Sequence, residues 1–112
     1  MRAIASVVFV CLTSSSVCAY NGANAWLMAA PPAQRIMKLG RVVGDGCVGK
    51  RAFYMGLGTT DISRNRAFWS IQCADRRSYA VQVNPDGTSK VLECWALRAL
   101  HAGECFRSFP KR

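Results

Sequence analysis

A single histidine, His101, and six acidic residues stand against fifteen lysines and arginines. General acid–base chemistry therefore has few players. Glu93 or Glu104, with Arg98 and His101, supplies the residue types of a small secreted ribonuclease, in which a carboxylate, an arginine and a histidine surround a phosphate. Their spacing matches no motif, and no G-x-S-x-G turn presents a serine nucleophile. No residue is assigned as catalytic, and a small hydrolase such as a ribonuclease is kept as the alternative to a binding role.

Metal and nucleotide chemistry meet similar shortages. His101 and Cys105 share the i, i+4 spacing of one helical face, which supplies two zinc ligands where a structural site needs four. The remaining cysteines are spaced far more widely than the paired ligands of such sites. "GDGCVGKR", Gly44 to Arg51, meets the G-x-x-x-x-G-K part of a phosphate-binding loop. Arg51 replaces the Ser or Thr that would hold magnesium, and the following "AFYM" reads as strand where that loop requires a helix. In "NPDG" only Asp86 is available as a calcium ligand. No metal and no cofactor is expected.

Charge is the strongest compositional signal, with a formal net charge of +9 at pH 7. The basic residues are scattered, with no run longer than two. Such a field favours an acidic partner: an envelope polymer, an anionic lipid surface or an acidic protein. Nucleic acid fits the charge but has no motif behind it. The residues offered as a binding surface are Arg76 and Arg77 in the "DRRS" turn, Arg64 and Arg66 in the polar "TTDISRNR" loop, and Lys50 and Arg51. Arg76 and Arg77 have no structural duty that sequence reveals. Trp69, Tyr79 and Trp95 near Arg76, Arg77 and Arg98 could form an aromatic and basic patch, although alternation places Trp69 and Tyr79 on the core face.

The N-terminus sets the compartment. One basic residue, an apolar run from Ala3 to Leu12 and small residues at cleavage spacing read as a secretory signal peptide over residues 1–19, with a cut after Ala25 as the alternative. The apolar run is roughly half of the ~20 residues that span a bilayer. Cleavage removes Cys11 and Cys18 and leaves Cys47, Cys73, Cys94 and Cys105 in a periplasmic or secreted protein, where a small domain depends on covalent staples. Two disulfides are expected.

Residues 20–46 form a lead segment, with Pro32 placed to open a short helix and Gly40 to stop it. Residues 47–109 form the domain. Val48 to Leu57 reads as a strand with Phe53 and Met55 on one face and Ala52 and Tyr54 on the other. "AFWSIQCA" and "SYAVQV" alternate as half-buried strands, and Ser89 to Cys94 returns after a type I turn at "NPDG". "WALRALHA" reads as a helix from Trp95 to Ala102, with Leu97, Leu100 and His101 towards the sheet and Gly103 as its stop. The fold class is thus α+β: a three- to four-stranded antiparallel sheet with a C-terminal helix. In a simple meander Cys73 and Cys94 lie two strand spacings apart, roughly 9.5 Å, beyond the reach of a disulfide. That favours Cys47 with Cys73 and Cys94 with Cys105 among the three possible connectivities.

"AFWSIQCA", "YAVQVNPDG" and "VLEC" followed by "ECF" resemble small exported proteins of alphaproteobacteria whose activity is uncharacterised, over roughly Cys47 to Phe109. The strand, turn and strand are also similar to the hairpin of PepSY-type periplasmic modules, without the helix that precedes it there. These resemblances imply export and supply no activity. The expected function is a non-enzymatic, exported, basic interaction module for an acidic partner.

Overall fold

In a computed structural model, which describes residues 20–60 and 62–110, "NPDG" turns the chain as its residues require. Pro85 and Asp86 take the central positions, the Gly87 N–H donates to the Asn84 carbonyl oxygen at 3.0 Å, and Gly87 adopts a φ of 89°. The Asn84 N–H donates to the Thr88 carbonyl oxygen at 2.9 Å and closes the hairpin. The Thr88 hydroxyl and N–H both donate to the Asp86 carboxyl, which holds its pKa below the ordinary aspartate value. The segment read as a signal peptide, with Cys11 and Cys18, lies outside the described residues.

The hairpin belongs to a four-stranded antiparallel meander of β1 (Gly49–Leu57), β2 (Ala67–Cys73), β3 (Ser78–Val83) and β4 (Ser89–Glu93), in that spatial order. Side-chain alternation sorts the sheet into two faces, and each face has its own cover. Trp69, Ile71, Cys73, Tyr79, Val81 and Val83 point to the face covered by α1 (Gly22–Ala29) and α2 (Pro32–Val43), with Leu27 and Leu39 packed on them. Met55 and Ala80 point to the opposite face, where Leu97 of α3 (Cys94–Ala99) and Phe109 of the C-terminal tail cover them. The sheet is the middle of three layers.

Both disulfides form as the meander geometry favours, Cys47 with Cys73 and Cys94 with Cys105. The first ties the α2–β1 connection to the end of β2. The second folds the tail back against the start of α3.

Two expectations are corrected. The lead segment holds two helices rather than one short one, and α2 runs for 12 residues through Gly40 instead of stopping there. Asn21 caps α1 by accepting from the Asn24 N–H at 3.0 Å, and its Nδ2 donates to the carbonyls of Asn65 and Val83. Pro31 and Pro32 separate the helices, and Pro32 opens α2, where a missing N–H costs nothing. The C-terminal helix is the shorter one: it ends at Ala99, Leu100 is 67% exposed, and His101 already has a φ of 55°. Leu97 alone of the expected face is buried.

The glycines of "GDGCVGKR" have structural explanations. Here a helix ends, the chain turns and a strand begins, the reverse of the strand–loop–helix order of a phosphate-binding loop. Gly49 sits where α2 crosses β1 so closely that an added Cβ would lie 2.6 Å from Ile36 Cγ2 and 2.8 Å from the Ile36 carbonyl oxygen. Backbone on one side cannot yield as a side chain can. Gly49→Ala is therefore expected to destabilise the fold by about 2 kcal/mol or more, read as a lower urea midpoint with an unchanged slope. An unaltered midpoint would contradict this packing.

Candidate functional site

The six basic residues nominated from sequence fall at opposite ends of the sheet. Lys50 and Arg51 lie near the start of β1, and Arg76 and Arg77 lie in the β2–β3 turn at the same end, close to the Cys47–Cys73 bridge. Arg64 and Arg66 occupy the β1–β2 loop at the other end. There the Arg66 N–H donates to the Ser63 carbonyl, the Gly58 N–H donates to the Arg66 carbonyl, and the charge of Arg66 acts on Asp86 of the hairpin turn. The six do not form one site.

At the cysteine end the backbone is held in several places. The Ala74 N–H donates to the Val48 carbonyl at 2.7 Å, the Cys73 N–H to the Arg77 carbonyl at 2.8 Å and the Arg76 N–H to the Cys73 carbonyl at 3.0 Å. Arg76 takes a φ of 76° in this turn and points out, exposed. Arg51 is stacked with its guanidinium carbon 3.8 Å from the Phe106 ring centroid. Its charge is presented on a fixed aromatic mount.

Arg77 does have a structural duty. Its Nε donates to Asp75 Oδ2 at 2.6 Å, its own N–H donates to Asp75 Oδ1, and its Nη2 reaches the Asp45 carbonyl at 2.9 Å. It braces the β2–β3 turn against the α2–β1 connection. The hydrogen bond from the Arg77 N–H, reinforced by the guanidinium, lowers the Asp75 pKa. A depressed carboxylate stabilises above its ordinary value, and the contribution fades as the pH falls through the lowered one.

Arg35, one of the scattered cations, is likewise engaged. Its Nε donates to the Leu27 carbonyl, and its Nη2 donates to those of Met28 and Ala30, which closes the C-terminus of α1. The same guanidinium lies 5.2 Å from the Trp69 ring centroid.

The aromatic and basic patch does not form as one surface, although the Arg77 guanidinium lies 5.8 Å from the Tyr79 ring centroid. Trp69 and Tyr79 are buried in the core, whereas Trp95 is exposed and lines a cleft of ≈ 220 Å³ with Arg98, Glu104 and Phe106. His101 lines a different groove of ≈ 600 Å³, over Phe68 and Leu97 and beside Lys90 and Gln82. Arg98 and Glu104 thus share one recess and His101 another. Cys105 is consumed by its disulfide, and among the described residues no three of His, Cys, Asp or Glu are grouped to hold a metal ion. Among the same residues, no helix is long and apolar enough to cross a membrane.

No family model, curated protein or solved structure matches the chain.

Sequence reasoning missed a groove of ≈ 580 Å³ between the two N-terminal helices and the β3–β4 hairpin. Trp26 and Met37, each about half exposed, line it with Lys38 and Arg41, and Val83 and Ser89 form its sheet side. One signal was available: Trp26 and Met37 are large apolar residues on either side of the Pro31–Pro32 break. Their joining depends on α1 and α2 packing together on the sheet.

Proposed function

We propose that the protein is an exported, non-enzymatic interaction module that binds an acidic partner through its basic surface. The supporting observation is the cysteine end, where exposed Lys50, Arg51 and Arg76 stand on strand ends and a turn fixed by the Cys47–Cys73 bridge, with Arg77 bracing them. Charges on a rigid mount lose little freedom when they meet an anion. Export through a cleaved leader fits the two disulfides. A cut after Ala19 is favoured by the bonds that Asn21 and Asn24 make to Asn65, Val83 and Trp69, which a cut after Ala25 would remove.

Binding of purified protein to anionic vesicles and to polyglutamate, followed through a salt titration, checks this role. Affinity is expected to fall steeply as ionic strength rises. Lys50→Glu, Arg51→Glu and Arg76→Glu together are expected to weaken it at least about tenfold, because three cations become anions at one end. Absence of binding to either probe at low ionic strength would overturn the proposal. Cleavage of RNA that disappears in His101→Ala would replace it with the hydrolase alternative.

A further inference from the structure

The sheet has two edges, and they are built differently. β1 carries register shifts between Gly49 and Arg51 and between Tyr54 and Gly56. Its edge is also occupied, because the Phe109 N–H donates to the Met55 carbonyl at 2.9 Å. Bulges and a covering tail are the usual protections against pairing with another chain.

β4 has neither. Its register with β3 is unbroken from Val83 opposite Ser89 to Tyr79 opposite Glu93. Since Asn84 and Thr88 form a hydrogen-bonded pair, alternation makes Gln82–Lys90 and Ala80–Leu92 the next bonded pairs. Ser89 and Val91 then turn their N–H and C=O groups away from β3, towards solvent. Ser89 and Val91 also direct their side chains to the α1–α2 face, where Ser89 lines the groove of Trp26 and Met37. An open edge and an apolar groove with a cationic rim lie side by side.

We propose that β4 accepts an extended, acidic segment of a partner protein as a fifth strand, whose alternate side chains enter the Trp26–Met37 groove. Main-chain hydrogen bonds to Ser89 and Val91 supply the attachment, and the groove selects apolar residues at every second position. Lys38 and Arg41 on the groove rim and Lys90 beside the edge select acidic residues around them. Charge also selects against a second copy of this chain, since two strongly basic molecules pairing through Lys90-bearing edges would repel. This docking mode rests on the acidic-partner role and names its occupant.

The test uses a fluorescent synthetic peptide of alternating Val and Glu, the same peptide N-methylated at alternate residues, and the intact mature protein. N-methylation along the edge that meets β4 keeps charge and composition but removes its N–H donors. It is expected to weaken binding at least about tenfold, the equivalent of losing one or two hydrogen bonds. Amide exchange at Ser89 and Val91 is expected to be fast in the free protein and slow in the complex, whereas Lys90 and Leu92 are protected in both. Val91→Pro removes an outward N–H and leaves the bonds to β3 intact, so it should reproduce the loss. Lys38→Glu with Arg41→Glu supplies a second variant on an exposed helix face. If both peptides bind equally, and binding yields to salt and to the Lys50, Arg51 and Arg76 substitutions alone, the β4 docking mode is overturned while the acidic-partner role stands. If neither peptide binds at low salt, the docking mode falls; if polyglutamate and anionic vesicles also fail to bind, the acidic-partner role falls with it.

Discussion

Trp69→Phe is expected to lower the unfolding free energy by about 3 kcal/mol, through loss of the indole's N–H and of part of its buried volume. Trp69 is 1% exposed at the centre of β2, and its Nε1 donates to Asn24 Oδ1 at 2.7 Å. Asn24 is itself buried, on the inner face of α1. Phenylalanine leaves that amide oxygen dry and unpaired, at a cost of about 1–3 kcal/mol, and leaves part of the indole volume empty. The Tyr54 ring, 4.9 Å away between centroids, and the Arg35 guanidinium also lose part of their contact surface.

Two measurements check the account. Trp26 and Trp95 are 49% and 62% exposed, so the emission that remains in Trp69→Phe should be that of solvated indoles, shifted to the red of the native spectrum. A double-mutant cycle with Asn24→Ala should return a coupling of about 1 kcal/mol or more, because the partners are in direct contact. Additive losses would show that the bond between α1 and β2 contributes nothing, and that α1 is held by Leu27 and the Asn21 and Arg35 bonds instead.

The same pair explains how far sequence could be read. The strands were readable because a half-buried strand writes its two faces into alternate residues, as Trp69, Ile71 and Cys73 do against Phe68 and Gln72. The disulfide pairing followed from one spatial premise, that a meander separates Cys73 from Cys94 by a whole strand. The helices of the lead segment were not readable to the same degree. Gly40 reads as a stop inside α2, α1 has only 8 residues in which to show a period, and α1 is stabilised by bonds to partners far along the chain, Asn24 to Trp69 and Asn21 to Val83.

Charge shows the opposite failure. Composition counts Arg35, Arg77 and Arg76 alike, but the fold commits Arg35 to the end of α1 and Arg77 to Asp75 and Asp45, and leaves Arg76 exposed. A cation's job depends on which carbonyls and carboxylates the chain brings within reach. The open edge of β4 was hidden for a related reason: a strand becomes an edge only when the order of the whole sheet is known.

Removal of the two disulfides, one at a time, is expected to give two different kinds of loss. Cys47 and Cys73 are 26 residues apart, and Cys94 and Cys105 are 11 apart, so the chain-entropy estimate is about 3.5 kcal/mol for the first and about 2.8 for the second. Those figures are close, but the surroundings are not. Cys73 is 1% exposed within the larger core, and its partner anchors the connection on which α2 meets β1. Cys47→Ala with Cys73→Ala should therefore lower the global denaturation midpoint and loosen both N-terminal helices together. Cys94→Ala with Cys105→Ala releases the tail, which keeps the Phe109 N–H bond to the Met55 carbonyl and the contact of Phe109 with Phe68, 5.3 Å between ring centroids. Opening there can be local, exposing Met55, Ala80 and Leu97 while the helix-covered face stays folded. Amide exchange separates the cases: the Phe109 amide should exchange much faster in the second variant while Trp69 and Val81 keep near-native protection. Equal loss of protection at Trp69 and Phe109 in both variants would mean that the two faces of the sheet unfold as one unit, and that the C-terminal layer holds the helical layer in place as strongly as the Cys47–Cys73 bridge does.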